Sequence, residues 1–271
     1  MTEAVVGKLS KTLSADAPTF AAWVGMNEAA VAEALAREGF DAVILDMQHG
    51  ALDFAGASRA ILAVALAGLP AIVRPPVADF ATASRLIDAG AAGIIAPMVN
   101  SRADAERFAS FAKFPPLGER SWGPGAALSL TGLETQAYLA SANGLVQAIA
   151  MIETREALAG LDDILDVAGI DGVFIGPADL SIALNNGARW DPRCAPVIEA
   201  AAGVVARARA HGKYAGMFCY DGADAGAMAE LGFRLCSVGS DGAFLRAAAR
   251  AELAAARRQA APGPGKDAKT Y

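Results

Sequence analysis

The chain has 271 residues, is 54% hydrophobic and carries a formal net charge of −6. That is enough apolar content for one large α/β domain with a filled core. The acidic balance argues against nucleic acid or an anionic membrane as a partner. Three cysteines, Cys194, Cys219 and Cys236, lack metal-type spacing, and their odd number suits buried thiols in a reduced, cytoplasmic protein. Residues 1–17 carry scattered charges and no apolar central run, so no signal peptide is expected. The longest uncharged apolar stretch, 60–73, is interrupted by Gly and Pro and is too short to span a bilayer.

A polar lead over 1–18 precedes the first apolar strand, 19–24 (TFAAWV). A helix follows over 27–38, with Asn27 placed to cap it and Gly39 closing it. The second strand, 40–45, ends in Asp46-Met47-Gln48-His49-Gly50. Helical spacing over 57–66 leads to a third strand, 70–73, which delivers Arg74-Pro75-Pro76. A helix over 79–89, a strand over 93–97 and a helix over 103–111 come next. The segment 114–131, FPPLGERSWGPGAALSLT, is too long for an ordinary connection. Such loops serve as lids or binding loops, which makes Trp122 an expected substrate contact.

The fifth strand, 146–152, ends abruptly in Glu153-Thr154-Arg155-Glu156. Helical spacing over 156–166 puts Leu158, Leu161, Ile164 and Leu165 on one face. Asp171-Gly172 turns the chain into a sixth strand, 173–175, which leaves through Gly176-Pro177-Ala178-Asp179. A helix over 196–211 ends with His211 placed to cap its carbonyls, before Gly212. Strand 214–218, helix 223–231, strand 235–238 and helix 243–255 complete the series, and a polar Gly/Pro-rich tail, 257–271, is expected to be disordered. Eight strands alternating with helices predict a (β/α)8 barrel over 19–256. A doubly wound sheet is disfavoured, because no G-x-G-x-x-G follows any strand and the eighth unit is complete.

A barrel assembles its site from the carboxyl ends of its strands. Those ends here supply Asp46 and His49, Arg74, Glu153 and Asp179. Taken singly, each has a bland reading: the acids as helix caps, Arg74 as a rim ion-pair partner, His49 as a loop residue. Together they read as chemistry. Consecutive parallel strands point the same way, so Glu153 and Asp179 emerge at one rim and suit a divalent cation with oxygen ligands. Such an ion would chelate a 2-oxo acid, and Arg74 would stabilise the developing enolate oxygen. Asp46, three residues from His49, would orient the imidazole as a general base. The backbone of Gly176, Pro177, Ala178 and Asp179, at a helix N-terminus, would hold the substrate carboxylate.

The motifs LDMQHG (45–50), VRPP (73–76), LIDAGAAGIIAPMVN (86–100), RSWGPG (120–125), MIETREAL (151–158) and DGVFIGPADLS (171–181) occur in order. Together they resemble the class II, metal-dependent pyruvate aldolases of the HpcH/HpaI family, across residues 20–253. The resemblance implies a (β/α)8 barrel with Mg2+ or Mn2+ on Glu153 and Asp179, Co2+ or Zn2+ being alternatives. It implies Arg74 on the pyruvyl oxygen and the His49–Asp46 pair in proton transfer. It also implies a homohexamer, a trimer of dimers, with the last helix exchanged between neighbours. Asp88, at a helix end near the opposite face, would then reach a neighbour's active site. Many members carry Glu at the position of Gln48 and Gln at that of Met151. The residues present here suit the branch resembling hydroxy-ketoacid aldolases.

The expected activity is therefore reversible cleavage of a 4-hydroxy-2-oxo acid into pyruvate, or a related 2-oxo acid such as hydroxypyruvate, and an aldehyde. An acyl-CoA lyase of the citrate lyase β or malyl-CoA lyase type would share the barrel, the arginine and both acids. A non-catalytic barrel binding 2-oxo acids is the third reading. A Schiff-base aldolase is disfavoured, because Lys213, near a strand, precedes it instead of ending it.

Overall fold

Eight strands form in the computed structural model, which describes residues 5–15 and 17–260. They are β1 Thr19–Val24, β2 Ala42–Asp46, β3 Ala71–Arg74, β4 Gly93–Ala96, β5 Gln147–Ile152, β6 Gly172–Ile175, β7 Tyr214–Met217 and β8 Leu235–Ser237. Neighbours pair in parallel in sequence order and β8 closes on β1, so the expected barrel is the observed one. The strands read as nearly continuous apolar runs because both faces are covered. Trp23, Ile44, Ile72, Ile95, Ile149 and Phe174 fill the interior. Val24, Val43, Val73, Ile94 and Val173 join the layer packed against the helices.

The first helices are α1 Val5–Ser14, α2 Ala29–Ala36, α3 Phe54–Leu66, α4 Phe80–Asp88 and α5 Arg102–Ala112. Between β4 and β5 the chain adds α6 Gly125–Thr131 and α7 Thr135–Leu145. The remainder are α8 Arg155–Ala159, α9 Leu161–Leu165, α10 Pro177–Leu184, α11 Ala195–Ala210, α12 Gly222–Leu231 and α13 Asp241–Ala260.

Several sequence expectations change. The polar lead contains α1, whose Val6, Leu9 and Leu13 are buried in the cluster that fills the barrel interior. Those three residues recur at helical spacing among interspersed Lys, Ser and Thr, which mask the apolar stripe. The helix expected over 156–166 is two short ones, broken at Gly160. Glu28, not Asn27, caps α2 through its side chain. His211 does occupy the C-cap of α11, but its ring reaches Asp162 at 3.2 Å and Asp166 at 3.1 Å. Residues 257–260 of the expected tail continue α13, while 261–271 lie outside the described residues. No helix among the described residues is long and apolar enough to cross a membrane.

The N-terminal rim is locked by one buried cation. Lys113 Nζ donates to the Asn143 and Val146 carbonyls at 2.7 and 2.6 Å and to Asp171 Oδ2 at 2.6 Å. All three ammonium donors are thereby used. Asp171 Oδ2 also accepts the Ala148 N–H at 2.6 Å, which joins the end of α5 to the start of β5. Burial pulls the Lys113 amine below its ordinary value and pushes the Asp171 carboxyl above its own, with the mutual attraction opposing both. Removing one partner of such a pair leaves the other charge uncompensated. Lys113→Met is expected to cost about 3 kcal/mol, seen as a drop of roughly 6–12 °C in the thermal midpoint. Adding Asp171→Leu should recover much of that loss; an unchanged midpoint in the single variant would contradict this account.

Candidate active site

Strand register sets Asp46 opposite Arg74 at the carboxyl ends of β2 and β3. Both are buried and form a bidentate pair, Arg74 Nε to Asp46 Oδ1 at 2.9 Å and Nη2 to Oδ2 at 2.7 Å. Trp23 Nε1 donates to Oδ2 at 3.3 Å, and the guanidinium carbon lies 4.8 Å from the Trp23 ring centre. The backbone N–H groups of Gln48 and His49 donate to Oδ1 at 3.0 and 3.3 Å. Burial alone would raise the Asp46 carboxyl. The Arg74 guanidinium and these amides outweigh it and hold the group below the usual carboxylate range.

The expected Asp46–His49 carboxylate–imidazole pair is therefore corrected. Arg74 takes both carboxylate oxygens, and Asp46 meets His49 through the backbone amide. The His49 side chain stands at the mouth of the same cavity. The turn holding it is tight enough to require Gly50, where a Cβ would collide with the Asp46 carbonyl oxygen.

Glu153 follows β5 and is 1% exposed. Its Oε1 accepts the Met98 N–H at 2.8 Å, while Oε2 is buried without a hydrogen-bond partner. Burial, joined by the charge of Asp179, pushes this carboxyl above the usual range against the pull of the Met98 amide and Arg74. A Cβ at position 176 would lie 2.6 Å from Oε2, so glycine there keeps space beside the open oxygen. Asp179, exposed in the first turn of α10, lines the cavity.

The helix N-terminus is a narrower cradle than expected. Pro177 has no N–H, and the Gly176 N–H donates to the Ile152 carbonyl at 3.3 Å. Ala178 and Asp179 remain as first-turn amides without an intrahelical acceptor.

Asp46, His49, Arg74 and Asp179 line a cavity of about 240 Å³, and Glu153 lies behind Gly176 in its wall. Met151 lies beside them, its sulfur 3.9 Å from Arg74 Nη1. Trp23, Phe218 and Tyr220 complete the walls. Those three aromatics escaped the sequence reading, which searched strand ends for charge. A larger hollow of about 830 Å³ opens at the other rim, beside Lys213 and Asp171. The smaller cavity is the better candidate, because it collects the strand carboxyl ends. No lysine lines it.

A divalent cation fits here. Glu153 Oε2 is a buried acceptor still in need of a partner, and Asp179 supplies a second carboxylate near it. Among the described residues, no three His, Cys, Asp or Glu side chains converge as a full ligand set. One or two carboxylates, with water and substrate oxygens completing the shell, is the arrangement Mg2+ favours.

Two expected site residues lie elsewhere. Asp88 ends α4 and pairs with Arg120 at 2.5 Å, close to the start of β4. Trp122, 47% exposed, packs at a tilt against Phe114 at 5.6 Å and edge-on against Tyr138 at 6.1 Å. The segment 114–131 packs by the N-terminal rim, where Phe114 bonds Asn143, and so it forms no lid over the chain's own cavity. Its length reflected α6, which a Gly- and Pro-flanked run of seven residues concealed.

The chain and its barrel have counterparts among known proteins. A hydroxypyruvate/pyruvate aldolase from Rhizorhabdus wittichii is 45% identical over 89% of this chain and 94% of its own length. A 4-hydroxy-2-oxo-heptane-1,7-dioate aldolase from Salmonella dublin is 35% identical over 90% of this chain and 92% of its own. The crystal structure of an HpcH/HpaI aldolase from Desulfitobacterium hafniense superposes with a TM-score of 0.85 at 28% identity, covering 94% of this chain and 99% of that one. The HpcH/HpaI aldolase/citrate lyase model matches residues 19–248. The chain belongs to the HpcH/HpaI aldolase/citrate lyase family.

Proposed function

We propose that this protein is an aldehyde-lyase that reversibly cleaves 4-hydroxy-2-oxo acids into an aldehyde and pyruvate or hydroxypyruvate. One observation carries the reading: Asp179 lines a cavity with a guanidinium held rigid by Asp46, and the unpartnered oxygen of buried Glu153 lies directly behind Gly176 in its wall. Relatives at 45% and 35% identity bear aldolase names, which supports it. The hydroxypyruvate/pyruvate name of the nearer relative favours an aldolase over an acyl-CoA lyase.

Glu153 and Asp179 hold a divalent cation, Mg2+ or Mn2+, which when bound supplies Lewis-acid stabilisation of negative charge on the 2-oxo acid oxygens. Arg74 has committed Nε and Nη2 to Asp46, so Nη1, beside the soft Met151 sulfur, is its face for substrate. That donor stabilises the oxygen on which enolate charge grows. The Ala178 and Asp179 amides orient the substrate carboxylate. In cleavage, the C4 hydroxyl gives its proton to His49, the C3–C4 bond breaks, and its electron pair becomes the enolate. Protonation at C3 then completes the 2-oxo acid.

The assembly is proposed as a hexamer, a trimer of dimers with α13 exchanged. Leu245 and Leu253 on that helix are 61% and 51% exposed, which an exchanged helix would cover. In the same assembly Asp88, at the rim away from its own cavity, serves a neighbour's, and the adjoining Trp122 goes with it. The free thiols of Cys194, Cys219 and Cys236 fit a reducing, cytoplasmic location.

Three outcomes follow from these roles. EDTA should abolish aldol cleavage and Mg2+ or Mn2+ restore it, while Glu153→Gln keeps the fold and loses metal affinity in calorimetric titration; full activity of stripped enzyme would exclude the metal role. Arg74→Lys keeps the charge but not the planar fork. It should depress oxaloacetate decarboxylation and aldol cleavage alike, by about 10²–10³-fold, and a loss confined to cleavage would move Arg74 to the aldehyde side. His49→Ala should lower cleavage by about 10²-fold or more and spare decarboxylation, which has no C4 hydroxyl proton to remove. Equal losses in the two assays would make His49 a structural residue.

A further inference from the structure

Four aromatic rings run edge to face from the cavity interior to its rim. Trp23 and Phe218 stand 4.9 Å apart at 89°, Phe218 and Tyr220 5.0 Å apart at 80°, and Tyr220 and Trp190 6.0 Å apart at 83°. Trp23, Phe218 and Tyr220 line the cavity, and Trp190 continues the row outward on the connection between α10 and α11. Trp190 is 61% exposed. Packing of the fold does not need an indole so open to water, yet its edge-to-face contact fixes it against a wall of the site.

The charges on this side are already matched. Arg193 pairs with Asp221 at 2.7 Å and Asp224 at 2.5 Å, and Arg189 pairs with Asp191 at 2.5 Å. The reactive groups, Arg74, Glu153 and Asp179, belong to the 2-oxo acid. The row of rings is thus an apolar wall leading away from a polar pole.

We propose that the Phe218–Tyr220–Trp190 wall receives the aldehyde portion of the substrate and selects neutral aldehydes with an aromatic or extended apolar chain over those ending in a carboxylate. This rests on the aldolase reading and names the aldehyde class that reading leaves open. A phenyl group gains ring contacts along the row. A terminal carboxylate would exchange water for ring edges and arginines already paired with acids, and its lost hydration would go uncompensated.

The test is pyruvate addition to three aldehydes of similar carbonyl reactivity: butanal, its ω-carboxylate counterpart succinic semialdehyde, and 3-phenylpropanal. The Mg2+-loaded wild-type enzyme should show the highest kcat/KM with 3-phenylpropanal and the lowest with succinic semialdehyde. Trp190→Ala should lower the ratio of 3-phenylpropanal to butanal by about three- to tenfold, and Trp190→Phe should restore most of it. A wild-type preference for succinic semialdehyde over butanal, or a ratio unmoved by Trp190→Ala, would overturn the proposal. Oxaloacetate decarboxylation by the wild type separates the two levels. Its presence with the wrong aldehyde order sinks this inference alone, and its absence along with all aldol addition sinks the aldolase reading beneath it.

Discussion

The structure turns on a carboxylate that the fold buries and half satisfies. Glu153 gives one oxygen to the Met98 amide and leaves the other enclosed without a donor. An ionised carboxylate in that position costs several kcal/mol unless a cation or donors compensate it. The backbone around it reinforces the arrangement. Met98 adopts a left-handed conformation, φ 55°, in the loop that supplies the amide, and Gly176 keeps a side chain from filling the space beside Oε2. A fold seeking stability alone would fill this space with a hydrocarbon. Keeping it polar makes sense if a divalent cation belongs beside Asp179.

The second constraint is the register of β2 and β3. Because Asp46 and Arg74 are direct partners across the sheet, their side chains meet in a bidentate, buried pair. Trp23 adds an indole N–H to the acid and a ring face to the guanidinium. The arginine is thus fixed in rotamer and position before any substrate arrives, which is what stabilisation of a developing charge requires. The same tryptophan begins the aromatic row, so one residue joins the polar pole of the cavity to its apolar wall.

Much of this was legible in the chain. Eight apolar runs, each followed by a polar break, gave the barrel, because parallel strands covered on both faces cannot alternate. Of the charged residues at the ends of those runs, Asp46, Arg74 and Asp179 line one cavity, and Glu153 lies behind Gly176 in its wall. What periodicity could not show was partnership. Spacing along the chain suggested Asp46 with His49, but cross-strand register gave the carboxylate to Arg74, a pairing 28 residues apart in sequence. Uncharged walls such as Phe218 and Tyr220 were indistinguishable from core residues without the fold. Asp88 and Trp122 share a family-like pattern with the site but sit at the opposite rim, because α4 and the segment after α5 run back toward the strand amino ends. Helix α1 was hidden by its interspersed Lys, Ser and Thr, although its Val6, Leu9 and Leu13 belong to the interior cluster of the barrel.

The most direct measurement of the central claim is anomalous scattering from a crystal soaked with Mn2+ and pyruvate. The account predicts one strong Mn2+ peak between Glu153 and Asp179, with Glu153 Oε2 in its coordination shell and pyruvate oxygens completing it. A peak elsewhere in the barrel, or pyruvate bound beside Arg74 with Glu153 Oε2 uncoordinated, would contradict it.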